Sequence, residues 1–153
     1  MVNTSIHASA VLIGPRAALI RGPSGSGKSL LAWELLQACA QGTALGALLF
    51  ARLVADDRAH IEARAGRLLV RPAQALAGLI EIRGLGIRRL PFEPVAAVGL
   101  VIDLAAPDAV RLPDPAAGQT TIEGVALPRL AVAAGLPAMG LLLAFLQTSP
   151  AAD

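Results

Sequence analysis

Cysteine is nearly missing from this chain: Cys39 is the only one in 153 residues, which excludes an intrachain disulfide and a cysteine-rich metal centre and fits a reduced, cytoplasmic protein. Aromatic residues make up only 3% against 55% hydrophobic overall, so the core must be built from Ala, Leu, Val and Ile. No strong charge excess is present either. The 13 Lys+Arg and 11 Asp+Glu leave a formal net charge of +2, and the basic residues are spread along the chain without aromatic partners, which argues against a nucleic-acid surface. Mean hydropathy is high at +0.63, yet a membrane-length apolar run is lacking. The most apolar stretch, Leu130 to Leu146, is interrupted by Gly135, Pro137 and Gly140 and falls short of the ~20 residues that span hydrocarbon; it reads as a buried strand followed by a buried helix, with no membrane insertion. Met1 to Ala10 shows neither a basic region nor a long apolar core, so no secretory signal is visible. Repeats and low-complexity segments are absent, and the length suits one domain over residues 1–153.

What is present begins with a lysine. Lys28 is the single lysine of the chain, and it falls inside Gly22-Pro23-Ser24-Gly25-Ser26-Gly27-Lys28-Ser29, which meets every specified position of the G-x-x-x-x-G-K-[ST] phosphate-binding loop. Its setting is the one the mechanism requires: the apolar run Ala17-Ala18-Leu19-Ile20 before it reads as a strand, and Leu30 to Ala40 after it as a helix. The glycines let successive N–H groups turn inward onto phosphate oxygens, and the positive end of the helix adds to the field. Lys28 is placed for the outer phosphates and Ser29 for magnesium, so a nucleoside triphosphate, or another polyphosphate, is the expected ligand.

The remaining elements follow in order. His7 to Ile13 reads as a strand that turns at Gly14-Pro15 into Ala17–Arg21. The helix after the loop ends near Gly42. Leu48 to Ala55 is an apolar strand stopped by Asp56-Asp57, and Ala59–Arg64 with Arg67–Arg71 form a hairpin about Ala65-Gly66. In Leu79-Ile80-Glu81-Ile82-Arg83 the alternation puts Glu81 and Arg83 on one face and Ile80 and Ile82 on the other. Val95–Leu104 is another strand, Pro107 to Pro115 an exposed turn region, Gln119–Glu123 with Val125–Leu127 a hairpin, and Pro137–Gln147 a closing helix with proline in its first turn. The fold class is α/β, a P-loop kinase-type domain of the phosphoenolpyruvate carboxykinase-like kind, with a strand-rich central sheet, hairpins and flanking helices.

Phosphoryl transfer needs acidic groups for metal and nucleophile and positive charge over the moving phosphate. Asp56 and Asp57, at the end of the strand after the P-loop helix, divide between accepting a proton and holding metal or a partner. Glu81 is a candidate magnesium ligand and Arg83 a candidate phosphate partner.

Three stretches together, Gly22 to Ser29, Leu53-Val54-Ala55-Asp56-Asp57 and Ile80-Glu81-Ile82-Arg83-Gly84-Leu85-Gly86, resemble the catalytic domain of the HPr kinase/phosphorylase family, and the last matches the family signature. The resemblance covers about residues 7–147 and is to the short form consisting of the catalytic domain alone. It implies an ATP- and Mg2+-dependent serine kinase acting on an HPr-like phosphocarrier of the phosphotransferase system, able in the family to run in reverse and release pyrophosphate. By position it implies Asp56 as general base, Asp57 and His7 in support, Ser29 and Glu81 as metal ligands, and Arg83 near the phosphates. Family members usually carry a basic, glycine-containing loop before the last helix, whereas Val132 to Met139 here is uncharged. A nucleotide-binding regulator that transfers nothing and a small-metabolite P-loop kinase stand as alternatives, and the apolar excess leaves a homo-oligomer open.

Overall fold

The computed structural model describes residues 3–41 and 50–151. Strands β1 (Thr4–Ile6), β2 (Ala8–Ile13) and β3 (Arg16–Arg21) lead into helix α1 (Lys28–Gln41). After it come β4 (Ala51–Ala55), the β5 (Ala59–Arg64) and β6 (Arg67–Pro72) hairpin, β7 (Leu79–Ile82) and β8 (Gly86–Arg89). The long β9 (Ala96–Asp103), the β10 (Gln119–Ile122) and β11 (Val125–Ala131) pair and helix α2 (Ala138–Gln147) complete the chain. This is the expected strand-rich α/β domain with hairpins and flanking helices. Leu48 and Leu49 of the expected Leu48 to Ala55 strand, and Gly42 after α1, lie outside the described residues.

The hairpins form where local chemistry dictates. Ala65-Gly66 and Glu123-Gly124 join their strands through two residues with positive φ, at 52° and 77° and at 50° and 78°, the turn whose twist matches the strands it connects. Assembly of the sheet is nonlocal. Its order is β1-β5-β6-β9-β3-β2-β4, with β11 added beside β9 and β10 beside β11. β9 is the fork: its first residues pair antiparallel with β6, while its last three, Val101 to Asp103, pair parallel with Arg129 to Ala131 of β11. Along its other edge β9 runs parallel to β3 as far as Arg21–Asp103, so the chain enters the P-loop beside the end of the longest strand.

Alternation along β2, β3 and β9 splits the core between two faces. Leu19 and Val101 point into an aliphatic cluster closed by Ile61, Leu68, Val70 and Leu127 as the sheet curls. Their neighbours Ile20 and Ile102 point to the opposite face, where Leu31, Ala32 and Leu35 of α1 and Leu142 of α2 cover them. Burying each such leucine contributes ~1.5–3 kcal/mol. α1 buries one face only, since Leu30 stays 61% exposed. The closing helix departs from expectation further. Leu142 is its one buried residue, and Phe145 and Leu146 are 43% and 42% exposed. β8 was not legible as a strand; it pairs with β7 in a two-stranded ribbon separate from the large sheet. No helix among the described residues is long and apolar enough to cross a membrane.

Candidate active site

The P-loop is closed around its own lysine. Lys28 is buried, and its Nζ donates to the carbonyl oxygens of Gly22 and Pro23 at 2.9 and 3.2 Å. Ser26 N–H closes the turn onto Pro23 O at 3.1 Å, while its own Oγ is buried without a partner. At Gly22 any Cβ would meet Ser26 Oγ at 2.5 Å and Leu104 Cβ at 3.0 Å, so only glycine fits. The first turn of α1 contains no acid, which leaves the positive helix end free for an anion. A buried ammonium, an orphaned hydroxyl and an unneutralised helix start form a cradle whose missing partner is anionic, and a nucleotide's phosphates fit it.

Opposite stands Asp56, just past β4. It is 7% exposed, and its carboxylate accepts three hydrogen bonds: from Ser29 Oγ at 2.6 Å and Ser9 Oγ at 2.8 Å on Oδ1, and from the Glu81 amide at 3.0 Å on Oδ2. One carboxylate therefore ties together the P-loop helix, β2 and the signature strand β7. Asp57 follows with φ 64°, and Arg58 N–H reaches across it to Asp56 O at 2.7 Å, the closure of a γ-turn. A non-glycine residue held left-handed costs ~1–3 kcal/mol, strain of the kind that collects at functional sites. Asp57 itself is exposed and its amide donates to Ser9 Oγ at 3.2 Å.

The other expected site residues are placed less tightly. Glu81 has an exposed side chain, and its backbone amide donates to Asp56, the carboxylate that also receives Ser29. With no cluster of three or more His, Cys, Asp or Glu fit for a metal among the described residues, Ser29 and Glu81 suit a cation that keeps water and phosphate oxygens as its other ligands, as Mg2+ does. Arg83 is exposed in the turn of the β7–β8 ribbon. His7 is exposed between β1 and β2, and among the described residues it makes no hydrogen bond or ion pair with Asp56 or Asp57.

Behind the P-loop lies an ion network. Arg21 meets Asp103 through two bonds of 2.7 and 2.8 Å. Arg129 donates to Asp103 at 2.6 Å and to Asp108 at 2.7 and 2.9 Å. Burial pushes the Asp103 carboxyl up, but the hydrogen bonds and charges of Arg21 and Arg129 outweigh it and hold it below the ordinary aspartate value. The hydrogen bond from Arg129 lowers Asp108 as well, and the two carboxylates raise Arg129. Asp103 is thus neutralised twice over and is not available to a metal. A cleft of about 310 Å3 opens between Pro23–Ser26 and the loop Val132–Leu136, and among the described residues no charged side chain lines it.

Known proteins are similar to this chain in sequence and in fold. The HPr kinase/phosphorylase of Limosilactobacillus reuteri (strain DSM 20016) is 36% identical over 140 residues, covering 84% of this chain and 40% of that protein. The HPr kinase/phosphorylase of Streptococcus thermophilus (strain ATCC BAA-491 / LMD-9) is 44% identical over 86 residues, 56% of this chain and 24% of that protein. The solved structure of the Hpr(Ser) kinase/phosphatase from Coxiella burnetii superposes with a TM-score of 0.70 at 25% identity, over 94% of this chain and 93% of that one. The chain belongs to the HPr kinase/phosphorylase family. It spans less than half the length of the curated family members it matches, and no family model matches it.

Within this HPr kinase/phosphorylase family member, four residues escaped the sequence reading: Ser9, Arg21, Asp103 and Arg129. A signal existed for each. Ser9 is the one hydroxyl in the apolar run Ala8 to Ile13, Arg21 and Asp103 close the apolar runs Ala17 to Ile20 and Ala96 to Ile102, and Arg129 is the one charge in Val125 to Ala131. What the sequence could not show is that β2, β3, β9 and β11 bring them to the same end of one sheet.

Proposed function

We propose that the chain is a protein kinase that uses ATP and Mg2+ to phosphorylate a serine of an HPr-like phosphocarrier protein. The observation that carries this reading is the 2.6 Å hydrogen bond from Ser29 Oγ to Asp56 Oδ1. A serine hydroxyl already donates to that carboxylate from the P-loop side, and a nucleophilic serine arriving there takes over the same acceptor. Asp56 then receives the hydroxyl proton as the bond from the serine oxygen to the γ-phosphorus forms and the bond from that phosphorus to the bridging oxygen breaks, with ADP as the leaving group.

Gly22 to Ser29 cradle the phosphates, and Lys28 exchanges its two carbonyl partners for phosphate oxygens. Ser29 and Glu81 would hold Mg2+, which would supply positive charge against the transferring group. Asp57 and His7 support the base from the solvent side, and Arg83 approaches the phosphates from the ribbon turn. Most of the rate comes from holding nucleophile and phosphate in line, which suits a site with few ionisable groups. The reading runs in the kinase direction. Phosphorolysis adds a second anion beside the first, and the cleft next to Pro23–Ser26 offers it no cation.

The test is transfer of label from γ-labelled ATP to a purified HPr-like protein and to a version whose acceptor serine is alanine. Label on the first and none on the second supports the proposal. Equal labelling of both, or none of either while ATP binds, refutes it.

A further inference from the structure

Ser9 lies on β2 with none of its surface exposed, in a strand whose other members are Ala, Val, Leu and Ile. A lone hydroxyl in such a place must have its hydrogen bonds made within the protein. Both are made to the acidic pair. An ionised carboxylate only accepts and an amide N–H only donates, so the Ser9 proton is committed to Asp56 Oδ1 at 2.8 Å and its lone pair to the Asp57 amide at 3.2 Å. Donor and acceptor sit on one atom, and among small side chains only a hydroxyl supplies both.

The register explains why the residue is there. β2 and β4 run antiparallel with Ala10 opposite Ala55, which brings Ser9 level with the start of the Asp56-Asp57 turn. That turn holds Asp57 at φ 64°, and the Ser9 bond is the one side-chain contact on its amide. The three donors on Asp56 are unequal. Ser29 belongs to the P-loop and would give up its bond on turning to a metal, and Glu81 donates from a backbone on the β7–β8 ribbon. Ser9 is rooted in β2, which is hydrogen-bonded on both sides, to β3 and to β4.

We infer that Ser9 is a positioning residue: its hydroxyl fixes the carboxylate of Asp56 and the backbone of Asp57 at once, so the acidic pair keeps its aim when Ser29 leaves. This rests on the proposed role of Asp56. It predicts a loss in turnover without a loss in ATP binding, because the hydrogen bonds of the Ser9 hydroxyl go to Asp56 and Asp57 and not to the P-loop.

The test is steady-state transfer from ATP to the HPr-like protein by Ser9→Ala, by the matched pair Ser9→Thr and Ser9→Val, and by Asp56→Asn, with thermal melting of each. Alanine fits within the space of serine, so Ser9→Ala is expected to fold, with kcat lowered ~10- to 100-fold and the KM for ATP within about 2-fold. Threonine and valine have the same shape and differ by the hydroxyl, so Ser9→Thr is expected to turn over at least ~10-fold faster than Ser9→Val whatever strain the added methyl brings. Equal rates for that pair, or a Ser9→Ala loss that appears in KM and melting temperature with kcat unchanged, overturns the Ser9 assignment while leaving Asp56 in place. A wild-type protein that transfers nothing, or an Asp56→Asn protein as fast as wild type, overturns the underlying reading and the Ser9 inference with it.

Discussion

Ser29 and Asp56, 27 positions apart in sequence, meet through a 2.6 Å hydrogen bond from Oγ to Oδ1. The residue proposed to hold metal and the residue proposed to take the proton are therefore in contact before any substrate arrives. Asp56→Asn keeps the shape of the side chain but replaces one carboxylate oxygen with an amide nitrogen. It is expected to lower kcat by ~10²- to 10⁴-fold, with ATP affinity changed by no more than a few-fold. Steady-state kinetics beside equilibrium binding of a fluorescent ATP analogue separates the two.

Arg129 bridges Asp103 and Asp108 with its side chain only 13% exposed. Arg129→Ala leaves Asp103 with Arg21 alone and frees the exposed Asp108. Losing the charge-assisted bonds to Asp103 is expected to cost ~1–3 kcal/mol, read as a lower urea midpoint with unchanged slope. The cleft wall Val132–Leu136 continues directly from β11, so a raised KM for ATP should accompany it.

Acidification tests the same network. The folded-state value of Asp103 is held below the ordinary one by Arg21 and Arg129, against the opposing effect of burial. A carboxylate depressed in this way adds stability above its unfolded value near ~4, and the contribution fades as pH falls through the folded value. Melting temperature is expected to drop from about pH 5 to about pH 3, and to drop less steeply in Asp103→Asn. Parallel curves for the two proteins would remove Asp103 from the account.

How much of this was legible in the sequence differs by range. The P-loop, the hairpins at Gly14-Pro15, Ala65-Gly66 and Glu123-Gly124 and the strand–loop–helix unit are local, and each is set by residues a few positions apart. The acidic pair and the signature strand were legible as motifs, but not the fact that the Glu81 backbone bonds to Asp56, a contact across 25 positions. The Arg21–Asp103–Arg129 network depends on β9 lying between β3 and β11, and Ser9 on the register of β2 with β4. Pairing of that kind carries no signal in a single sequence. The apolar composition of α2 suggested burial, yet only Leu142 is buried, because composition does not say which face finds a partner.

The neutral cleft makes a directional prediction. With phosphorylated HPr-like protein and inorganic phosphate, pyrophosphate release is expected to run at least ~100-fold slower than the forward reaction, the typical effect of one absent charge-stabilising group. Coupled detection of pyrophosphate measures it. Comparable rates in both directions would mean that Arg83 or another cation reaches the second anion.

The most direct measurement is the intact mass of HPr-like proteins after incubation with this chain, ATP and Mg2+, with Lys28→Ala as the control. The account predicts one added phosphate on a serine, lost in the control because the only lysine, held on the Gly22 and Pro23 carbonyls, is gone. An unchanged mass with the intact protein, under conditions where ATP binds, would contradict it.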